Sequence, residues 1–360
     1  MLTYIFKRLI LIVPTLFLII LVNFVVIQIA PGGPVEQAIE QAKYSGMNEL
    51  GSVGGLNAKA VGNDSSSYQG ARGLSPEMLT QIKKQYGFDH SASERLWIML
   101  KGYVHFDFGT SFFKGKSVLE LMKERLPVTL SLGLWSTLII YLISIPLGMR
   151  KAVQHGAAFD HWTAFFLVAG YAVPVFIFAI LLIVFFAGGS YLQWFPLQGL
   201  VSENFDQLSL LDQIKDYLWH MTLPLIAMTA GGFAKLTYLT KFSFLDEWQK
   251  PYALAARAKG LTTNRVLYGH VFRNAILVII AGLPDVLLAV FLVGNFLIEI
   301  VFNLNGMGLL GFEAIVQRDY PVIFGTLFVY TLAGMLLRLM SDILYRLIDP
   351  RLDFEQRESI

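Results

Sequence analysis

The chain has 360 residues, 55% of them hydrophobic and only 15% charged, with a net charge of +2 and a mean hydropathy of +0.57. A soluble domain carries about 45–50% apolar and about 25% charged residues, so this balance predicts an integral membrane protein and argues against nucleic acid as a partner. With no cysteine, disulfides and cysteine metal sites are excluded, and the six histidines are scattered.

A helix needs about 20 mostly apolar residues to cross the hydrocarbon core, and lipid offers no partner to a free backbone amide. Six helical spans are therefore expected. The first covers about 9–30, inside an N-terminal segment 1–30. It is long for a signal peptide, and no small-x-small cleavage site precedes Pro31-Gly32-Gly33-Pro34, so an uncleaved anchor is the better reading.

Residues 31–125 form a long outer, periplasmic segment. Its part 35–74 is expected to be flexible, being rich in Gly, Ser and Asn between Gly46 and Gly73. The part 75–125 is expected to be partly helical: Ser75-Pro76-Glu77 reads as a helix start, and further helices are expected over about 93–103 and 118–125. The alternative is a plain spacer.

The remaining spans are expected at about 126–148, 162–187, 221–244, 276–298 and 322–347. The fourth of the six is the least hydrophobic and holds Pro224, Gly231, Gly232 and Lys235. Together they make a core over 126–350, with a polar loop at 245–273 and a tail at 351–360. Lys and Arg in short loops mark the cytoplasmic side. Lys7 and Arg8, Arg150 and Lys151, the basic residues between Lys241 and Arg273, and Arg346 and Arg351 all fall on one side. Both termini and the polar loop are therefore expected in the cytoplasm. No internal repeat is evident, which argues against an inverted-repeat secondary transporter.

Within the loop, Pro251 to Gly260 reads as a short, Ala-rich, basic helix ended by glycine. Such a self-contained helix suggests a docking plug for a soluble partner. The alternative is a basic surface loop facing anionic lipid. Other motifs fail. Gly109 to Lys116-Ser117 is close to a phosphate-binding loop, but its spacing is wrong and no strand precedes it. No Gly-x-Ser-x-Gly or His-Glu-x-x-His motif appears, so the chain carries no evident catalytic apparatus.

The loop resembles a known family. Ala255-Ala256-x-x-x-Gly260, followed by Arg273-Asn274-Ala275, looks like the "EAA" loop of ABC importer permeases. Tyr252, Ala256-Arg257-Ala258-Lys259-Gly260-Leu261 and Arg265-Val266-Leu267 are similar to the dipeptide/oligopeptide permeases. So are Asp107-Phe108-Gly109-Thr110-Ser111, Glu124-Arg125-Leu126-Pro127, Gly306-Met307-Gly308 and Arg318-Asp319-Tyr320-Pro321, in that order. Two departures stand out: Leu254 occupies the position of the motif's glutamate, and the insertion between Pro34 and Ser75 is long. That insertion is similar to the Yej-type subgroup, associated with oligopeptides and the peptide antibiotic microcin C.

The resemblance implies an all-α integral membrane protein with six transmembrane helices, a type I ABC importer permease with a helical periplasmic segment. It would sit in a bacterial inner membrane, beside a second, related permease subunit. Two cytoplasmic ATPase domains, with their ATP and Mg, and a periplasmic peptide-binding protein would complete the importer. No cofactor or metal is expected on this chain, and ATP hydrolysis would reside in the partners. Coupling would run through Tyr252, Ala255, Ala256, Arg257, Ala258, Lys259, Gly260, Arg265 and Arg273. Small Ala255 and Ala256 would permit close approach, while Arg257 and Lys259 would meet acidic or carbonyl groups. The runner-up is a permease for dipeptides, nickel or another small solute, and behind it a self-sufficient channel or secondary transporter.

Charges within spans usually face a bundle interior or a wet path. Asp285, Asn295 and Glu299 fall within an arc of roughly 80° on an ideal helix. That stripe reads either as lining of the translocation path or as a set satisfied by neighbouring helices. Arg338 and Asp342, four apart, are expected to pair with each other.

Overall fold

The computed structural model describes residues 2–29, 90–188, 191–293 and 296–348. The flexible stretch 35–74, the helix expected from Ser75, and the tail 351–360 lie outside them. The helices, in chain order, are α1 (Leu2–Ile29), α2 (Ala92–Val104), α3 (Val118–Val153), α4 (Ala158–Ala172), α5 (Val175–Phe186), α6 (Leu210–Gln249), α7 (Pro251–Ala258), α8 (Thr263–Val266), α9 (Phe272–Val293), α10 (Phe296–Val301), α11 (Met307–Gln317) and α12 (Tyr320–Ile348). They group into two compact units, one of residues 9–121 and 314–329, the other of 1–8, 122–313 and 330–360.

In the first unit α2 begins with a capping box. The Ser91 hydroxyl accepts from the Glu94 N–H while Glu94 reaches back to the Ser91 N–H, which satisfies two free donors of the first turn. The near-phosphate-loop motif turns out to be a closed hairpin. Gly109 and Gly115 take φ of +82° and +63°, Ser111 and Val118 donate to Lys116 and Gly109 carbonyls, and Ser117 caps the start of α3. Its glycines serve turn geometry, which L side chains resist. Asp319, 1% exposed, holds this hairpin: the Ser111 hydroxyl donates to it at 2.5 Å and the Phe112 N–H at 3.4 Å. Two sequence-distant motifs thus meet at one buried carboxylate.

The helix expected at 118–125 and the second span are one continuous 36-residue helix, α3, with Pro127 inside it. The third span is broken. α4 and α5 meet at Pro174 with a bend of 93°, because proline removes a donor and crowds the preceding turn. Pro224, by contrast, lies inside α6, which runs unbroken for 40 residues.

By length and composition, four described helical stretches can cross a membrane, at 5–26, 118–153, 263–283 and 320–343, and the bent α4–α5 pair makes a fifth. The remaining expected span lies in α6, which is longer but not apolar enough to qualify on that measure. The reason is its surroundings. It packs along α4, α5 and α9, so protein rather than lipid covers much of it. Its buried Thr229 and Thr240 turn their hydroxyls back onto the Leu225 and Leu236 carbonyls, at 2.7 and 2.8 Å, and so carry no unmet donor inward. α6 also joins two cores. One end holds Met221 and Ala227 against Leu132, Leu182 and Phe302; the other holds Leu236 and Phe244 against Met149, Ala253 and Val271.

Candidate functional site

The polar loop folds into a braced elbow. Lys250 has an extended backbone, and Pro251 occupies the first helical position of α7, where its missing N–H costs nothing. α7 ends as its composition predicts. Gly260 adopts φ +81°, its N–H donates to the Arg257 carbonyl at 2.9 Å, and the Leu261 N–H reaches Ala256 at 3.4 Å. Nothing lies near a Cβ placed on Gly260, so its backbone conformation alone calls for glycine. The chain then continues through α8 and a π-helical turn over Leu267–Val271 into the apolar helix α9.

A polar strut fixes the elbow. The Tyr252 hydroxyl donates to Glu247 of α6 at 2.5 Å and accepts from the Asn274 amide of α9 at 3.3 Å. Lys250 pairs with the same carboxylate. Burial works against the charge on Glu247, but the bonds from Lys250 and Tyr252 outweigh it and hold the carboxyl below its ordinary value. Burial, then the neighbouring Glu247 carboxylate, pushes the Tyr252 phenol up. One side chain of α7 thereby touches both adjoining spans. The Ser243 hydroxyl adds a second tie, to the Ala275 carbonyl at 2.7 Å.

The elbow sorts the expected coupling residues. Ala255, Ala258, Lys259 and Gly260 face outward with Leu254, which is 50% exposed; Arg265 on α8 and Arg273 on α9 are exposed as well. Two of the expected residues, Ala256 and Arg257, turn inward. Ala256 is 8% exposed and, with Ala253, packs into the elbow's core, because the helical period turns these two away from Leu254 and Ala255. Arg257 folds back. Its guanidinium lies 4.9 Å from the Trp248 ring and donates to the Trp248 carbonyl at 3.3 Å, so it braces the α6–α7 corner instead of projecting. Sequence reading missed Glu247 and Trp248, whose only signal was position, an acid and an aromatic just before the elbow, and it took Asn274 as part of a motif without assigning it a contact.

The polar stripe resolves unevenly. Asp285 lies on α9, and its side chain is outside the described set, as is all of Asn295. Glu299 on α10 is fully buried. It accepts from the Thr129 hydroxyl at 2.9 Å and from the Leu309 N–H at 2.8 Å, while Thr129 accepts from the Met307 N–H at 2.8 Å. The carboxylate thus satisfies the free amides at the start of α11, and no face of it opens on a path in this structure. Gly306 makes room for it: a Cβ there would lie 2.3 Å from the Glu299 carboxyl. Asp342 pairs with Arg8 of α1, which corrects the expected Arg338 partner. A long arginine from a neighbouring helix reaches the carboxylate that the helical period had seemed to reserve for its own.

Among the described residues no cluster of ligands for a metal ion occurs. The molecule is a helical protein with several helices long and apolar enough to cross a membrane, and a braced polar elbow between α6 and α9. The chain belongs to the family of binding-protein-dependent transport system inner membrane components, whose model matches residues 144–354. It is similar to the inner membrane ABC transporter permease protein YejB of Escherichia coli O157:H7, 56% identical over 98% of this chain and 99% of that protein. It is also similar to the peptidoglycan transport system permease protein YejB of Agrobacterium fabrum, at 51% over 99% of each chain. The oligopeptide transport system permease protein AppB of Bacillus subtilis is 31% identical over 98% of this chain and 100% of its own length. This is an ABC transporter permease of the peptide-import family, a multi-pass inner-membrane transport component and not an enzyme.

Proposed function

We propose that the chain is one of two permease subunits of an ATP-driven importer of oligopeptides, including peptide antibiotics of the microcin C type. α7 docks in a cleft of a cytoplasmic ATPase, where ATP and Mg are bound and hydrolysed. Both termini lie in the cytoplasm, and a periplasmic binding protein selects the peptide and delivers it. The observation that carries this reading is the Tyr252 strut, which makes α7 a rigid lever on α6 and α9 together. A force on α7 then shifts a two-state arrangement of the spans and is not absorbed by a slack loop. The docking surface is the face with Leu254, Ala255 and Ala258, rimmed by Lys259 and Arg265. With leucine where the motif's glutamate stands, its centre is apolar and its rim basic.

The name of the Agrobacterium relative supports a second cargo reading, peptide-bearing fragments of peptidoglycan. Reconstitution of the chain with its companion permease, ATPase and binding protein tests both. ATP-dependent uptake of labelled oligopeptides, lost in Ala255→Trp, is the expected result. Uptake by the chain without any ATPase would overturn the reading. Uptake of muropeptides in preference to plain peptides would select the second cargo.

A further inference from the structure

A second polar assembly lies away from the strut. Lys151 near the end of α3, Asp160 in the first turn of α4, and Lys241 on α6 are 0%, 5% and 7% exposed. The Lys151 ammonium is 2.9 Å from Asp160 Oδ1, and Lys241 donates to both carboxylate oxygens at 2.9 and 2.8 Å. Lys151 spends its other donors on the Asp160 carbonyl and the Thr163 hydroxyl, at 2.7 and 2.6 Å. The Gly156 N–H adds a bond to Oδ2 at 3.1 Å, and the exposed His155 ring lies 3.4 Å from the same oxygen. One buried carboxylate therefore holds two ammonium groups from two other helices. Separating any of the three would strand a charge away from water, so their helix ends are fixed together.

An independent feature lies beside it. A Cβ on Gly148 of α3 would come within 2.7 Å of the Thr237 carbonyl and 2.5 Å of Thr240 Cβ on α6. The two backbones touch there, one helical turn from Lys151 and next to Lys241. A turn further along, the buried Ser144 hydroxyl reaches the Phe233 carbonyl at 3.3 Å. α3 and α6 are thus pinned at successive turns. The same region forms the floor of the elbow, since Met149, Ala152, Leu236 and Phe244 share one core with Ala253 and Ala256 of α7.

We propose that Asp160 is a positioning residue for energy coupling: with Lys151, Lys241 and the Gly148 crossing it makes the cytoplasmic ends of α3, α4 and α6 one rigid block, so that motion imposed on α7 reaches α3 and the α4–α5 arm as well as α6 and α9. This rests on the reading of α7 as the ATPase-docking helix. The strut alone joins α7 only to α6 and α9; the triad extends the lever to the helices that precede it in the chain.

The full complex in proteoliposomes provides the test. In Lys241→Met, which leaves the Lys151–Asp160 pair in place, the ATPase stays bound and active while peptide uptake per ATP falls about fivefold or more, a typical magnitude for a coupling energy. Lys241→Arg restores the ratio. Unchanged uptake per ATP in Lys241→Met overturns the proposal, as does a parallel fall of uptake and hydrolysis. Because this chain has no cysteine, spin labels can be placed through cysteines introduced at exposed Ala158 on α4 and Phe242 on α6, in a complex whose other subunits are made cysteine-free. Their separation is expected to stay constant between nucleotide-free and vanadate-trapped states, and a change of several ångströms overturns the rigid block without any destabilising variant. Failure of the wild-type chain to bind an ATPase overturns the docking reading and the proposal with it. A changed distance in an ATPase-bound complex overturns the proposal alone.

Discussion

The Tyr252 hydroxyl lies 2.5 Å from the Glu247 carboxylate, across the corner where α6 gives way to α7. The intervening Lys250 is extended and cannot transmit force as a helix would, so this side-chain bond closes the corner. Asn274 completes it from α9, and a helix of eight residues is fixed at both flanks by one phenol.

Tyr252→Phe keeps the ring and removes only that hydroxyl. A hydrogen bond to a charged group contributes about 1.5–3 kcal/mol, and partial exposure reduces it, so a loss of about 1–2 kcal/mol is expected. Thermal unfolding in detergent should show a lower Tm, and peptide uptake per ATP should fall in the same variant. An unaltered Tm and uptake would remove the strut from the mechanism.

The same contact has a pH dependence of definite sign. Glu247 has its folded pKa held below the ordinary value of 4.5, so its stabilisation is present above that value and lost as pH falls through the lowered one. The Tm difference between wild type and Glu247→Gln should therefore be largest near neutral pH and shrink as the medium is acidified below the ordinary carboxyl value. A difference that grows on acidification contradicts the assignment.

Neighbouring residues of α7 should separate by face. Leu254→Asp places a charge on the exposed apolar centre, and should leave Tm unchanged while the ATPase no longer co-purifies. Ala256→Trp overfills the elbow's core and should cost about 1–3 kcal/mol or more, with a lower Tm before any partner is added. Reversal of these two outcomes would mean that the other face docks.

At the opposite core, Thr129→Val removes a hydroxyl that donates to Glu299 and accepts from the Met307 N–H. Two buried groups lose a partner, for an expected cost of about 1–3 kcal/mol. Gly306→Ala should be at least as harmful, since its Cβ would meet the Glu299 carboxyl at 2.3 Å. Tm and yield of the purified variants would show it. Full tolerance of Gly306→Ala would refute the packing role assigned to Glu299.

Several features were legible in the residues alone. Apolar runs fell on the stretches long and apolar enough to cross a membrane, and one more on α6, which is not apolar enough. Pro251 and Gly260 marked the ends of α7, because each fits one end of a helix and is costly inside it. The order of short motifs, from Asp107-Phe108-Gly109 to Arg318-Asp319-Tyr320, pointed to the family.

Which side chains meet was a different matter. Glu299 shared a helical arc with Asp285, yet its partners are Thr129 and the start of α11, 170 and 10 residues away in the chain. Asp342 stood four residues from Arg338, yet Arg8 reaches it. Asp160 carried no signal until Lys151 and Lys241 closed around it. Helical period and hydropathy are properties of a local run, and they govern which residues form a helix and which face is apolar. A buried charge is governed by whatever counter-charge or donor the packing brings within about 3 Å, and in a bundle of long helices that partner comes from anywhere in the chain. Hydropathy and helix-end chemistry thus defined the apolar helices and the short helix α7, and tertiary packing alone decided how that helix is braced.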